Sequence, residues 1–224
     1  MGSDALLRLP SMRAALFDLD GTLADTMPVC FDAFRAVFLE AFGREWSNSE
    51  IQEHFGPSEE GVLRSVLGGE REAEATERYL EHYERLHRAV PGLFDGIDRV
   101  LDRCRTAGMR RGIVTGKGAR SARISAEQLG LDAHFEVLEA GSAEGWQKID
   151  RLQRILDAWG LTGADGFYVG DHPSDVRAAR ELGLVALSAA WCPLADIEAL
   201  RNMEPDALFE SPSDMVRWLD ERLE

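Results

Sequence analysis

Lysine is almost missing from this 224-residue chain. Of its 25 basic residues 23 are arginine, and only Lys117 and Lys148 carry an ammonium group. Where surface cations are written as arginine, a retained lysine marks a place that wants a compact point charge instead of a planar fork. Cysteine is scarce as well. Cys30, Cys104 and Cys192 are scattered, odd in number and without a CxxC pair, which excludes a disulfide framework or a zinc site and leaves them as small apolar fillers. No apolar run reaches the ~18 residues of a membrane helix, and the first eight residues are too short and too weakly basic for a signal peptide. A cytoplasmic location is therefore expected. Positive charge is also lacking in the balance: 40 acidic residues against 25 basic ones give a net charge of -15. That field repels nucleic acid and anionic lipid, so neither is expected as a partner, and an anionic substrate would need a local cation to overcome it.

What is present reads as globular: 45% hydrophobic and 29% charged residues exclude general disorder, and the length suits one core domain with a smaller insert. Short apolar runs at residues 14–19, 112–115, 166–171 and 184–187 read as buried strands, with weaker candidates at 135–138 and 207–209. Helical spacing over 95–107, 119–129, 148–159 and 174–182 alternates with them, which predicts a parallel sheet covered on both faces. Residues 27–91 differ. Thr26-Met27-Pro28 reads as a helix start, helical patterns follow over 27–42, 59–67 and 70–89, and no strand pattern interrupts them. The expected organisation is an α/β core of residues 12–26 plus 92–224 with an all-helical insert at 27–91, re-entered at Pro91-Gly92. Residues 1–11 read as an unstructured lead.

A parallel sheet places ligands at the C-terminal ends of its strands. Here those ends carry Asp18, Asp20 and Thr22, then Thr115, then a loop to Lys148, then Asp171 and Asp175. Together they offer several carboxylates, two hydroxyls and one ammonium. Carboxylates suit a hard divalent cation such as Mg²⁺, and the metal with the ammonium would neutralise a phosphoryl group.

These residues carry a resemblance. Phe17-Asp18-Leu19-Asp20-Gly21-Thr22-Leu23-Ala24-Asp25-Thr26 resembles the first motif of the haloacid dehalogenase-like phosphatases, Ile113-Val114-Thr115-Gly116-Lys117 the second, Lys148 the third, and Val169-Gly170-Asp171-His172-Pro173-Ser174-Asp175 the fourth. The likeness runs from about residue 14 through nearly the whole chain and implies a Rossmann-like core with a helical cap, as in phosphoglycolate phosphatases. It implies that Asp18 is the nucleophile, forming an aspartyl-phosphate, and that Asp20 is the general acid and then the base. Asp18, the backbone carbonyl of Asp20 and Asp171 would hold Mg²⁺. Thr22, Thr115, Gly116 and Lys148 would bind the substrate, with Asp175 supporting the site from behind.

Two departures bear on those roles. The family usually has proline after the third-motif lysine, where this chain has Ile149, and the phosphate contact is assigned to Lys148 with Lys117 expected at the rim, in water. His172 is read as a solvent-facing loop residue, Arg64 as solvated or salt-bridged, Trp46 and Trp146 as packing residues, and 54–58 as a cap turn facing the site. The implied activity is hydrolysis of a small phosphorylated metabolite by a monomer or homodimer. Phosphomutase, pyrophosphatase and a non-catalytic binding protein stay as alternatives, although Asp20 counts against dehalogenase and phosphonatase chemistry.

Overall fold

The computed structural model describes residues 12–145 and 147–223. Six strands form one parallel sheet in the order β3-β2-β1-β4-β5-β6: β1 (Ala14–Phe17), β2 (Arg110–Val114), β3 (Val137–Glu139), β4 (Gly166–Gly170), β5 (Val185–Ala189) and β6 (Ala207–Phe209). Order reverses beside β1, with β2 on one side and β4 on the other. Ligand crevices of open parallel sheets lie at such a switch point.

Every β1 residue is fully buried, because both sheet faces are covered. Side chains alternate between the faces. Ala15 and Phe17 join Phe167 and Val169 against α5 (Ile97–Thr106) and α10 (Pro212–Leu223). Ala14 and Leu16 join Val114 and Tyr168 against α7 (Lys148–Trp159) and α8 (Pro173–Glu181). The remaining core helices are α6 (Ala119–Gln128) and the short α9 (Ile197–Asn202).

Between β1 and α5 the chain forms four helices: α1 (Met27–Phe42), α2 (Asn48–Gln52), α3 (Glu59–Leu67) and α4 (Gly69–His87). They share their own apolar cluster, centred on Phe34, Phe38, Tyr79 and Tyr83. Trp46 belongs to it, with its ring 4.6 Å from that of Phe38. On α1 the buried apolar side chains are Cys30, Phe31, Ala33, Phe34, Val37 and Phe38, while Phe42 is 45% exposed.

The first strand stops at Phe17, two residues before the apolar run ends, because Leu19 turns its carbonyl to accept from the Leu23 N–H at 2.9 Å. Helices α2, α9 and α10 have no counterpart in the sequence reading. The three cysteines are buried and unbridged. No helix of the described residues is long and apolar enough to cross a membrane. Residues 1–11 and Trp146 lie outside the described residues.

Candidate active site

Asp18 follows β1 directly, and its N–H still donates to Val169 O at 2.8 Å, which fixes it at the tip of the sheet. Its Oδ1 accepts from the Leu19 N–H at 2.8 Å and its Oδ2 from Lys148 Nζ at 2.7 Å. The loop then curls through Gly21 at φ +71°, a left-handed conformation that favours glycine, and a Cβ there would lie 2.1 Å from Asp171 Oδ2. Backbone and space both demand glycine at this point.

Asp171 follows β4. His172 then caps α8, accepting from the Ser174 N–H, and Asp175 closes the capping box by accepting from the His172 N–H at 3.0 Å. The other oxygen of Asp175 accepts from Lys148 Nζ and from Tyr168 Oη. Lys148, the first residue of α7, is thus fixed between Asp18 and Asp175, although isoleucine follows it instead of proline.

Carboxylate oxygens of Asp18, Asp171 and Asp175 lie within 4.8 Å of one another. Burial pushes the Asp18 carboxyl up to about 7 against the pull of Lys148, and the charges of Asp175 and Asp20 add to the rise. Burial, then the neighbouring Asp18 and Asp175, raises Asp171 well above the ordinary carboxylate range. Burial would lower the pKa of Lys148, but Asp175 and Asp18 reverse that and hold it charged. Three acids against one ammonium leave uncompensated negative charge on hard oxygen donors, a set that fits a divalent cation such as Mg²⁺. Asp175 accepts three hydrogen bonds and does not reach the cavity that Asp18 and Asp171 line, so Asp18 and Asp171 are the better-placed ligands.

Asp20 turns its carboxylate the other way, where it accepts from Thr26 Oγ1 and lies 3.1 Å from Lys117 Nζ. Thr26 occupies the N-cap of α1 yet caps no helix N–H, because its hydroxyl is directed at Asp20. Thr115 and Gly116 line a cavity of about 590 Å³ whose floor is Asp18, Asp20, Lys148 and Asp171. The insert supplies the opposite wall.

Residues 15–189 match the family model for haloacid dehalogenase-like hydrolase. The chain belongs to this family. Among curated relatives, it is 32% identical over 184 residues to the tyrosine-protein kinase PtkA of Mycobacterium tuberculosis, covering 81% of this chain and 63% of that protein. It therefore spans less than two thirds of PtkA. It is 31% identical over 216 residues to the phosphoglycolate phosphatase of Xanthomonas campestris, covering 93% of this chain and 96% of the relative. A haloacid dehalogenase-like hydrolase from Streptococcus pneumoniae superposes with a TM-score of 0.76 at 26% identity, covering 93% of this chain and 98% of that one. CbbY from Rhodobacter sphaeroides, solved in complex with phosphate, gives the same TM-score at 21% identity, covering 93% and 99%.

Two site residues of this family member differ from the sequence reading. Lys117 is 4% exposed, not at the rim: besides Asp20 its ammonium faces Glu59 Oε1 at 3.6 Å and the Tyr83 ring at 4.5 Å. Three tertiary partners from three segments enclose it, and periodicity along the chain reveals none of them. Thr22, expected at the substrate, is fully buried behind the loop, with Oγ1 3.4 Å from Asp171 Oδ1 and its carbonyl accepting from Trp191 Nε1. It supports Asp171 instead of lining the cavity.

Glu59, at the start of α3, was not singled out by its sequence context. It is 6% exposed, and its carboxylate accepts from the Gly118 N–H and from Ser121 Oγ across the boundary with the core. Burial raises its pKa, with Lys117 pulling against it. Its only sequence signal was a charged residue directly after the Pro57-Ser58 turn. Arg64 is bonded to Ala143 O and paired with Glu72, away from the cavity floor.

Proposed function

We propose that this hydrolase is a divalent-cation-dependent phosphatase acting on a small phosphomonoester, with residues 27–91 serving as a cap over the site. The observation that carries this reading is Asp18, buried at the tip of β1, held by Lys148 and clustered with Asp171 at the floor of a cavity large enough for a metabolite. The full-length likeness to phosphoglycolate phosphatases supports the same chemistry.

Asp18 attacks phosphorus, a new P–O bond forms to its carboxylate, and the ester P–O bond breaks. Asp20 gives a proton to the leaving oxygen. It then takes one from a water that attacks the aspartyl-phosphate, releasing inorganic phosphate and restoring Asp18. Lys148, Thr115 and Gly116 hold the phosphoryl oxygens, and Asp175 keeps the Lys148 ammonium in place. Mg²⁺ held by Asp18, Asp171 and the Asp20 backbone carbonyl would offset the repulsion between the attacking carboxylate and the phosphoryl anion. The walls shield part of the site from solvent, and each fixed charge there counts for more than it would in water.

Release of inorganic phosphate from 4-nitrophenyl phosphate, with Mg²⁺ and after chelation, tests this reading. Turnover that disappears with the chelator and returns with Mg²⁺ is expected. Absence of turnover under both conditions contradicts it.

A further inference from the structure

The cavity wall facing Asp18 is built by the helical insert, and its chemistry is largely apolar. Met27 of α1 and Phe55 of the turn after α2, both half-buried, supply hydrophobic surface, backed by the buried Phe31, Phe34 and Val62, while Asn48 and Gln52 of α2 add two neutral amides. The charge on the insert's wall is the buried carboxylate of Glu59. Two ammonium groups reach the cavity, and both are matched to protein carboxylates: Lys117 to Asp20 and Glu59, Lys148 to Asp18 and Asp175. Although the sequence contains 23 arginines, none among the described residues lines this cavity.

A carboxylate or second phosphate placed against that wall would lose its water without gaining a cation and would face Glu59. Desolvating an unpaired charge and opposing it to a like charge are both unfavourable. Apolar or neutral polar groups meet rings and amides there and lose little. We propose, building on the phosphatase reading, that the preferred substrates are phosphomonoesters whose leaving group is uncharged and largely apolar, and that anionic leaving groups are selected against. Phosphoglycolate, whose leaving group carries a carboxylate, is then a poor substrate for this chain.

A matched pair tests the wall separately from the chemistry. Benzylphosphonate and 4-carboxybenzylphosphonate, which present no ester to hydrolyse, are titrated calorimetrically into the Mg²⁺-loaded wild-type protein, and kcat/KM is measured for benzyl phosphate, its 4-carboxy analogue and phosphoglycolate. The neutral member is expected to win by about tenfold or more in both readouts. Gln52→Arg places a cation on the wall at an exposed helical position and is expected to shrink that preference by about tenfold. Binding of the carboxylated phosphonate as tight as, or tighter than, the neutral one in wild type overturns the proposal, as does a Gln52→Arg variant with an unchanged ratio. A clear binding preference without turnover of any ester supports the wall's selectivity and sinks the phosphatase reading.

Discussion

Lys117, buried beneath the helical insert, lies 3.1 Å from the half-buried Asp20. Its second carboxylate partner, Glu59, belongs to that insert, so one ammonium joins the loop after β1 to the insert. Removing it leaves the buried Glu59 and the half-buried Asp20 without their cation, a change that costs about 3 kcal/mol. Lys117→Met is therefore expected to lower Tm by roughly 6–12 °C for a chain of this size and to depress kcat, since Asp20 loses the charge that orients it. Thermal unfolding and steady-state kinetics check this. A variant as stable and active as wild type would return Lys117 to a screened position.

Lys148 is held by Asp18 on one side and Asp175 on the other. As the proposed contact to the transferring phosphoryl group, its loss in Lys148→Ala is expected to reduce kcat about a hundredfold. Lys148→Arg should recover little, because a longer planar fork does not fit between two carboxylates arranged around a point charge. Full rescue by arginine would show that only net charge matters there.

Gly21→Ala strikes the metal site through the backbone. The residue sits at φ +71° and an added methyl would fall 2.1 Å from Asp171 Oδ2, so Asp171 must move. Displacing a ligand's support typically weakens metal affinity by about 10–100-fold, and the apparent affinity for Mg²⁺ measured from activity titrations should fall in that range. Unchanged affinity would remove Asp171 from the proposed ligand set.

The acid cluster also predicts how stability varies with pH. Asp18 has a folded-state pKa of about 7 against an ordinary 3.8, so the native state binds the proton more tightly than the unfolded one. Its contribution is most favourable below the lower value and is lost as pH rises toward the upper one; Asp171 acts in the same direction. A cation that binds the ionised acids reverses the loss. Saturating Mg²⁺, at about 100 times its Kd, adds about 2.7 kcal/mol, or roughly 5–10 °C in Tm, at about pH 8, and clearly less at about pH 5, where ligand protons compete. Equal shifts at both pH values would count against these carboxylates as the binding site.

Much of this architecture could be read from the chain because its signals are local. The strand-like runs at 112–115, 166–171 and 207–209 fall on β2, β4 and β6, and α7 begins at Lys148 and ends at Trp159 as its spacing indicates. Asp18, Thr115, Lys148 and Asp171 converge on one cavity because successive parallel strands bring their C-terminal tips together. Other features are invisible to periodicity. α2 and α9 have five and six residues, too few for a helical repeat to show. The burial of Lys117 depends on Tyr83 and Glu59 packing over it from the insert, and that of Thr22 on Trp191 from beyond β5. Such contacts are tertiary, and a residue's own neighbours in sequence carry no trace of them.

The most direct test of the central claim is the turnover of Asp18→Asn with Mg²⁺ and a neutral aryl phosphate, beside wild type. The amide keeps the size of the side chain, and its single carbonyl oxygen can accept from either Lys148 or Leu19 in place of the two oxygens of Asp18, but it cannot act as the anionic nucleophile. The account predicts a folded protein with phosphate release at background. An Asp18→Asn protein that hydrolyses the ester at a rate near wild type would contradict it.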